Sequence, residues 1–323
     1  MYVNIGGVTI RIKSDLDDFP QKELSRIFHG YVSPPSAPGI VMEINGMKKP
    51  ARERGEVPSL LEPVYEYFLD IYNKFPRESN PEKKALQDTL YLTSFLSLAS
   101  FREVLQQQAK GKFSIQITHG GVVIVDTAHN VARYFINLAS APPLSRSLEA
   151  GLYFACSILF PSFQGVILHG AGFHHKGAGY VFLAPSRGGK TTISRSRKGE
   201  GLLADDGVVV RKIKGELHVF GSPWRQNTWA KTVKEDSYLH HYPLKVVFFL
   251  KKEGAPIKLT PGEAMGKTLL HFVQCLRYNT NHMCRLAFNL CGEVFSAIPA
   301  YAICFTGEKL CWEKVECLLE NRR

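Results

Sequence analysis

Short apolar runs separated by glycine-containing turns recur along the chain and predict strands joined as hairpins. Residues 2–5 and 8–12 flank Gly6-Gly7, and residues 113–118 and 122–126 flank a His-Gly-Gly turn. Other runs that are rich in β-branched and aromatic residues are expected to be strands, over 40–44, 180–183, 208–213, 217–220, 245–250 and 300–305.

Longer stretches with helical spacing lie between these strands. The helices are expected over 21–28, 81–111, 145–160, 261–275, 281–295 and 309–319. The 145–160 helix is apolar on nearly all sides and should pack against the sheet that follows it. This alternation predicts an α/β fold, with a smaller N-terminal mixed α/β region over 1–142 and a second region over 143–323, divided near Pro142-Pro143.

The composition of the 323-residue chain, with 45% hydrophobic and 21% charged residues, allows one large or two ordinary globular domains. No run approaches the roughly 20 apolar residues of a membrane span. The N-terminal segment lacks the basic start and apolar core of a secretory signal. The seven cysteines form no Cys-x-x-Cys pair, which favours reduced thiols in a cytoplasmic protein.

The formal net charge of +11 suits a polyanionic ligand such as a nucleotide, a nucleic acid or an acidic protein segment. The basic clusters at 52–54 and 195–198 are short and carry no interleaved aromatic residues. A nucleic-acid platform needs both length and aromatic side chains, so the sequence disfavours nucleic acid as a partner.

The most informative stretch, 184–191, reads Ala-Pro-Ser-Arg-Gly-Gly-Lys-Thr and matches a phosphate-binding (Walker A) loop except for Ala184 in place of glycine. A predicted strand precedes the loop and a predicted helix follows it, as the motif requires. Glycines let the backbone amides approach a phosphate. Lys190 is expected to reach the β- and γ-phosphates, and Thr191 to bind Mg²⁺. The residues expected to contact ATP are Ser186, Arg187, Gly188, Gly189, Lys190, Thr191 and Thr192.

Two adjacent carboxylates, Asp205 and Asp206, follow soon after the loop, between the apolar runs 202–204 and 208–210. Strand side chains alternate between faces, so the two cannot point the same way unless the strand ends there. One is expected to hold the metal ion while the other faces an incoming hydroxyl group. The alternative is an Asp-Gly turn without a catalytic role.

The region 166–211 resembles the catalytic core of the HPr kinase/phosphorylase family and, more loosely, that of phosphoenolpyruvate carboxykinase. The resemblance is carried by His169-Gly170, the turn over 174–179, the loop over 184–191 and Leu203-Ala204-Asp205-Asp206. The short gap between loop and acids is its most specific feature, because most P-loop proteins place the metal-binding aspartate much farther along. The family's C-terminal signature loop is not seen, so the likeness is to HPr-kinase-like proteins that phosphorylate seryl or other hydroxyl groups.

The resemblance implies an HPr-kinase-like P-loop core with a mixed sheet in the C-terminal region, which would be the catalytic domain. It implies that Asp205 is the catalytic base, that Asp206 and Thr191 bind Mg²⁺, and that His169 lies near the acid pair as a further catalytic residue. The sequence by itself leaves the roles of the two acids open. The related bacterial kinases assemble, so a homo-oligomer is a further expectation.

Gly221-Ser222-Pro223-Trp224-Arg225 supplies two more candidates. Arg225 is expected to reach the transferring phosphoryl group as a catalytic residue, because its fork of donors suits the equatorial oxygens. Trp224 is a candidate for stacking on a base or on the substrate. A surface cation and a core aromatic residue are the respective alternatives.

The function expected from these residues is an ATP- and Mg²⁺-dependent kinase that transfers the γ-phosphoryl group to a hydroxyl, in the first place a serine of a protein or peptide. Phosphoryl transfer requires positioning and charge neutralisation more than covalent chemistry, and the loop with its acids supplies both. Two alternatives stay open. One is a small-molecule kinase that acts on free serine or a sugar, and the other is an ATP-binding regulator without turnover.

Overall fold

The computed structural model describes residues 1–14, 19–46, 113–118, 121–136, 144–185, 188–196, 201–224, 239–269, 281–304 and 315–316. The predicted helix over 81–111 lies outside these residues, as do most of the one over 309–319 and the second half of the one over 261–275. Within the described residues the chain forms two mixed sheets and several helices, which confirms the α/β class.

The first sheet has six strands in the order β1-β2-β3-β6-β5-β4. Its elements are β1 (Tyr2–Ile5), β2 (Val8–Ser14), helix α1 (Phe19–Ile27), β3 (Ile40–Gly46), β4 (Phe113–Thr118), β5 (Gly121–Asp126) and β6 (Val131–Ile136). Both predicted hairpins are present as antiparallel pairs, and Gly6 and Gly7 supply the positive φ angles of the first turn. The central pairings β2–β3 and β3–β6 are parallel.

Helix α2 (Leu144–Leu159) follows the first sheet, and a 3₁₀ turn (Phe160–Phe163) leads from it into the second. The helix contacts β4, β5 and β6 of the first sheet and the first strand of the second. A Cβ at Gly151 would lie 2.7 Å from the Tyr134 ring, which shows how closely the helix approaches β6. The helix therefore forms a layer between the two sheets, as its apolar circumference predicts.

The second sheet has eight strands. They are β7 (Gly165–His175), β8 (Ala178–Leu183), β9 (Leu202–Ala204), β10 (Gly207–Ile213), β11 (Glu216–Phe220), β12 (His241–Lys251), β13 (Ile257–Leu259) and β14 (Ala300–Cys304). Their order is β11-β10-β7-β8-β12-β14-β13, with β9 beside β7. Strand β11 also pairs with β12, so the pairings β11–β10–β7–β8–β12 close into a ring of five strands.

Three further helices belong to the second sheet: α3 (Lys190–Ser196), α4 (Pro261–Leu269) and α5 (Asn281–Ala297). Helix α5 buries residues at helical spacing against one face of the sheet, in a core that also contains Val208 and Phe249. The opposite face of β8 and β12 packs on Ile193 of α3. In the described part of the chain no helix has the length and apolarity needed to cross a membrane.

The two sheets share one packed core. Ile167, Val209 and Phe220 of the second sheet are buried in the same cluster as α2 and the strands of the first sheet. Arg211 strengthens this junction, because its Nε donates to Phe163 O (2.7 Å) and its Nη1 to Gly6 O (3.0 Å). The strands before residue 137 and those after residue 164 thus form separate sheets that share one hydrophobic core.

Three strands differ from the sequence-based expectation. Strand β6 was not predicted, although its residues alternate between partly and fully buried. Strand β12 begins four residues before the predicted 245, because the segment with Pro243 pairs with β11 before the strand continues beside β8. Proline disfavours a strand interior because it has no amide hydrogen to donate. It is tolerated here, where the partner of β12 changes from β11 to β8. Strand β13 was not predicted, because its apolar–polar–apolar alternation spans only three residues, of which Ile257 and Lys258 are exposed.

Candidate functional site

The predicted phosphate loop lies between the end of β8 and the start of α3, and the structure describes Ala184, Pro185, Gly188 and Gly189 of it. The Gly188 amide donates to Pro185 O (2.9 Å), and Gly189 has a φ of +97°, a conformation that favours glycine. The Ile193 amide then donates to Gly189 O (3.0 Å) and begins the helix. In this conformation the Gly188 amide closes the turn and does not point at a ligand. The expected anion site therefore lacks this one backbone donor.

The Lys190 side chain folds back over the loop and is only 7% exposed. Its ammonium donates to Ala184 O (2.6 Å) and Pro185 O (3.0 Å). Burial lowers the pKa of Lys190, while the charge of Asp206 acts in the opposite direction. An ammonium group has three donors, and within the described residues two of them hold the loop, which leaves one that could reach a ligand oxygen.

The two acids occupy the bend between β9 and β10, and they differ in exposure. Asp205 is 4% exposed, whereas 27% of the Asp206 side chain is accessible. The backbone of the bend is fixed to β7, because the Gly170 amide donates to Asp206 O (3.0 Å) and Gly207 pairs with His169. The accessible carboxylate is therefore the second of the pair.

His169 and Asp206 are in side-chain contact within the site. The His169 Nδ1 lies 3.0 Å from Asp206 Oδ1, and 34% of the histidine side chain is exposed. Asp206 also acts electrostatically on Lys190 across the loop. One carboxylate thus contacts the histidine of β7 and also influences the charge of the lysine of the phosphate loop.

The bend is enclosed from the side of α2 by aromatic residues. The Tyr153 and Trp224 rings are in edge contact, with centroids 5.2 Å apart. A Cβ at Gly207 would lie 2.6 Å from Tyr153 Cε2 and 3.3 Å from Trp224 Cβ, so only glycine fits between these groups. Ser222 completes the enclosure, because its Oγ donates to Gly207 O. We call Tyr153, Gly207, Ser222 and Trp224 the bend clamp.

Replacing Gly207 by alanine is expected to destabilise the protein by about 1–3 kcal/mol, because the added methyl group overpacks the bend clamp. Gly266 is the matched control. It lies within α4 with no atom near its missing Cβ, so alanine there is expected to stabilise the helix by about 0.5–1 kcal/mol. Denaturant unfolding of the two variants gives the comparison. Equal stabilities would contradict the close packing at Gly207.

The structure places the sequence-predicted site residues in different settings. His169 and Asp206 are in contact, Lys190 lies within electrostatic influence of Asp206, Thr191 is half-buried at the start of α3, and Thr192 is exposed. Trp224 is buried at 2% exposure and belongs to the bend clamp. The candidates that lie outside the described residues are Ser186, Arg187 and Arg225.

Sequence reasoning missed two members of the site, Tyr153 and Ser222. Tyr153 belongs to a helix that was interpreted only as packing, and its sole signal is a polar tip on an apolar helix. Ser222 was noticed as part of the Gly-Ser-Pro-Trp segment, but its hydrogen bond to Gly207 depends on a contact 15 residues away. Neither contact is visible without the fold.

A divalent metal ion would find oxygen ligands here. In the described ranges no group of three or more His, Cys, Asp or Glu side chains is arranged to hold a metal ion. Mg²⁺ is commonly held by one or two carboxylates together with phosphate oxygens and water. The accessible Asp206 carboxylate and the Thr191 hydroxyl fit that donor set.

None of the models of known protein families matches the chain, and no curated protein matches it. The resemblance described above is carried by the residues that were quoted for it.

Proposed function

We propose that the protein is an ATP-dependent kinase that transfers the γ-phosphoryl group to a hydroxyl acceptor, in the first place a serine of a protein or peptide. The observation that carries the proposal is the position of Asp206, which lies 3.0 Å from His169 and acts on the Lys190 ammonium across the loop. A carboxylate between a histidine and a phosphate-loop lysine suits a reaction in which a hydroxyl attacks a terminal phosphate.

Lys190 would neutralise charge on the triphosphate. Its third donor can bind a phosphate oxygen while the other two hold the loop carbonyls. The ammonium is largely excluded from water, and a charge–phosphate contact gains strength when both groups are desolvated. Gly188 and Gly189 keep side chains away from the approaching phosphate, and the positive φ of Gly189 preserves the turn.

Asp206 and Thr191 would hold Mg²⁺, which supplies charge neutralisation at the phosphates when it is bound. His169 would orient the Asp206 carboxylate through the contact between Nδ1 and Oδ1. The base role that the resemblance implies for Asp205 requires an acceptor to approach a carboxylate that is 4% exposed. The two acids are therefore separable by substitution, because only one of them is accessible.

The decisive experiment incubates the full chain with Mg²⁺ and ATP labelled in the γ-phosphate, and separately with serine-containing peptides, proteins, free serine and sugars. Transfer of label to a peptide or protein hydroxyl is the expected result. Transfer to free serine or a sugar alone would replace the protein-kinase proposal with a small-molecule kinase. Tight ATP binding without any labelled product would favour the regulator and overturn the kinase.

Nucleotide affinity is expected to fall as the pH rises into the alkaline range. Burial lowers the Lys190 pKa, so this group loses its charge at a lower pH than an exposed lysine does, and the neutral amine attracts phosphate less. ATP binding measured by calorimetry from neutral to alkaline pH tests the sign. The Lys190→Met variant should lack this dependence, and an affinity that rises with pH would contradict the role given to the ammonium.

A further inference from the structure

We infer that Tyr153 is a positioning residue of the site, which fixes the bend that carries Asp206 through its ring. The expected effect on catalysis rests on the proposed function. The expected effect on the rigidity of the bend rests on packing alone. Tyr153 lies on α2, outside the loop and the acid pair, and no motif in the sequence points to it.

Tyr153 stands out in the exposure pattern along α2. From residue 151 to 159 every side chain of this helix is buried except that of Tyr153, which is half-buried. Tyr153 is thus the one residue of this stretch that is less than fully enclosed by the two sheets, and its ring lies against the acid bend. Tyrosine suits such a position, because it has an apolar ring and a polar tip.

The Tyr153 ring fits closely against the bend that carries Asp206 and Gly207. Tyr153 Cε2 occupies the space that a Cβ at Gly207 would fill, and the ring meets Trp224 edge-on. The Gly207 carbonyl accepts from Ser222 Oγ, and the Asp206 carbonyl accepts from the Gly170 amide. The two successive peptides on either side of the Gly207 Cα are thus each held by one hydrogen bond through the carbonyl, and the ring packs against the Gly207 Cα between them.

The Tyr153 hydroxyl also lies within the electrostatic influence of the Asp206 carboxylate. Burial raises the pKa of Tyr153, and the negative charge of Asp206 raises it further, so the hydroxyl stays protonated. The neutral hydroxyl is a donor within the field of the carboxylate. A negatively charged side chain at this place would repel Asp206, and a cation would pair with it, whereas tyrosine adds bulk without a charge.

The consequence for catalysis concerns geometry. A misplacement of about 1 Å at a reacting group can lower a rate about a hundredfold. Loss of the ring would free Gly207 on one side while leaving Lys190 in place, because the hydrogen bonds given by the described residues of the loop do not involve α2. The expected signature is a lower kcat without a change in nucleotide affinity.

The test compares Tyr153→Leu with Phe154→Leu. Phe154 is the next residue on α2, is 2% exposed and packs in the core shared by the two sheets. Both variants should have a lower melting temperature. Only Tyr153→Leu should lower kcat about a hundredfold, with KM for ATP within about twofold. Tyr153→Phe keeps the ring and should retain kcat within about threefold.

Amide hydrogen exchange of the free proteins separates this inference from the proposed function. In Tyr153→Leu the peptides that contain Gly170 and Gly207 should exchange at least about tenfold faster than in wild type, and in Phe154→Leu they should not. Failure of wild type to transfer phosphate would overturn the kinase proposal alone. Equal exchange and equal kcat in the two leucine variants would overturn the role of Tyr153.

Discussion

Replacing Lys190 by methionine should weaken ATP binding about a hundredfold, since charge-assisted hydrogen bonds contribute about 1.5–3 kcal/mol each. The methylene stem keeps its packing, and only the ammonium is lost. The rate at saturating ATP should fall about 10²- to 10³-fold, because the same group neutralises charge on the phosphates in the transition state. Calorimetry with ATP and a labelled-phosphate assay measure the two effects separately.

The change also removes the two hydrogen bonds to Ala184 O and Pro185 O, so a lower melting temperature is expected in the absence of nucleotide. The control is Lys13→Met, which removes an exposed lysine that pairs with Glu43 at 3.8 Å in the first sheet. An exposed pair of this kind contributes about 0–1 kcal/mol. Unchanged ATP affinity in Lys190→Met would show that the loop binds no triphosphate, whatever happens to stability.

Much of the fold could be predicted because local signals coincide with tertiary structure. The hairpin over β1 and β2 follows from two apolar runs around Gly6-Gly7, and the positive φ of both glycines explains why that turn requires them. Helix α5 follows from apolar spacing, and its buried residues, which include Leu290 and Val294, match that spacing. Where local preferences and tertiary packing favour the same element, the sequence alone is sufficient to predict that element.

The missed strands show where local signals end. Strand β12 begins in a segment with Pro243, whose pairing with His218 depends on the return of β11 and on no property of the segment itself. Strand β6 reads as a strand only when Ala132, Tyr134 and Ile136 are known to face a core. Such strands are specified by their neighbours, and therefore by the fold as a whole.

The site was predictable as a set of residues but not as an arrangement. The spacing of Lys190, Asp205 and Asp206 suggested a nucleotide site, and alternation along a strand predicts that adjacent acids differ in orientation. It does not predict which of the two is accessible. That is decided by the pairing of Gly207 with His169 and by the hydrogen bond from Gly170 to the bend, both of which depend on β7 lying beside β10.

Replacing Asp206 by asparagine should lower the rate of phosphoryl transfer about 10³-fold, because the variant would lose the proposed metal ligand and loses the carboxylate that contacts His169. The substitution keeps the shape of the side chain and removes its charge. The Mg²⁺ concentration needed for half-maximal rate should rise about tenfold, since a neutral amide binds the ion more weakly. A labelled-phosphate assay over a Mg²⁺ series measures both quantities.

Asp205→Asn is to be compared with Asp206→Asn, because it tests the other acid of the pair. Asp126→Asn is the control for both variants. Asp126 caps a turn of the first sheet through Ala128 N and His129, so its loss should leave the Mg²⁺ series unchanged. Asp205 is buried behind the accessible acid, and asparagine there should also leave the Mg²⁺ requirement unchanged. If Asp205 is the base, as the resemblance implies, its variant should lose about 10²- to 10⁴-fold in rate at every Mg²⁺ concentration. Full activity of Asp206→Asn at low Mg²⁺ would remove the accessible carboxylate from the reaction, and with it the observation on which the proposed kinase depends.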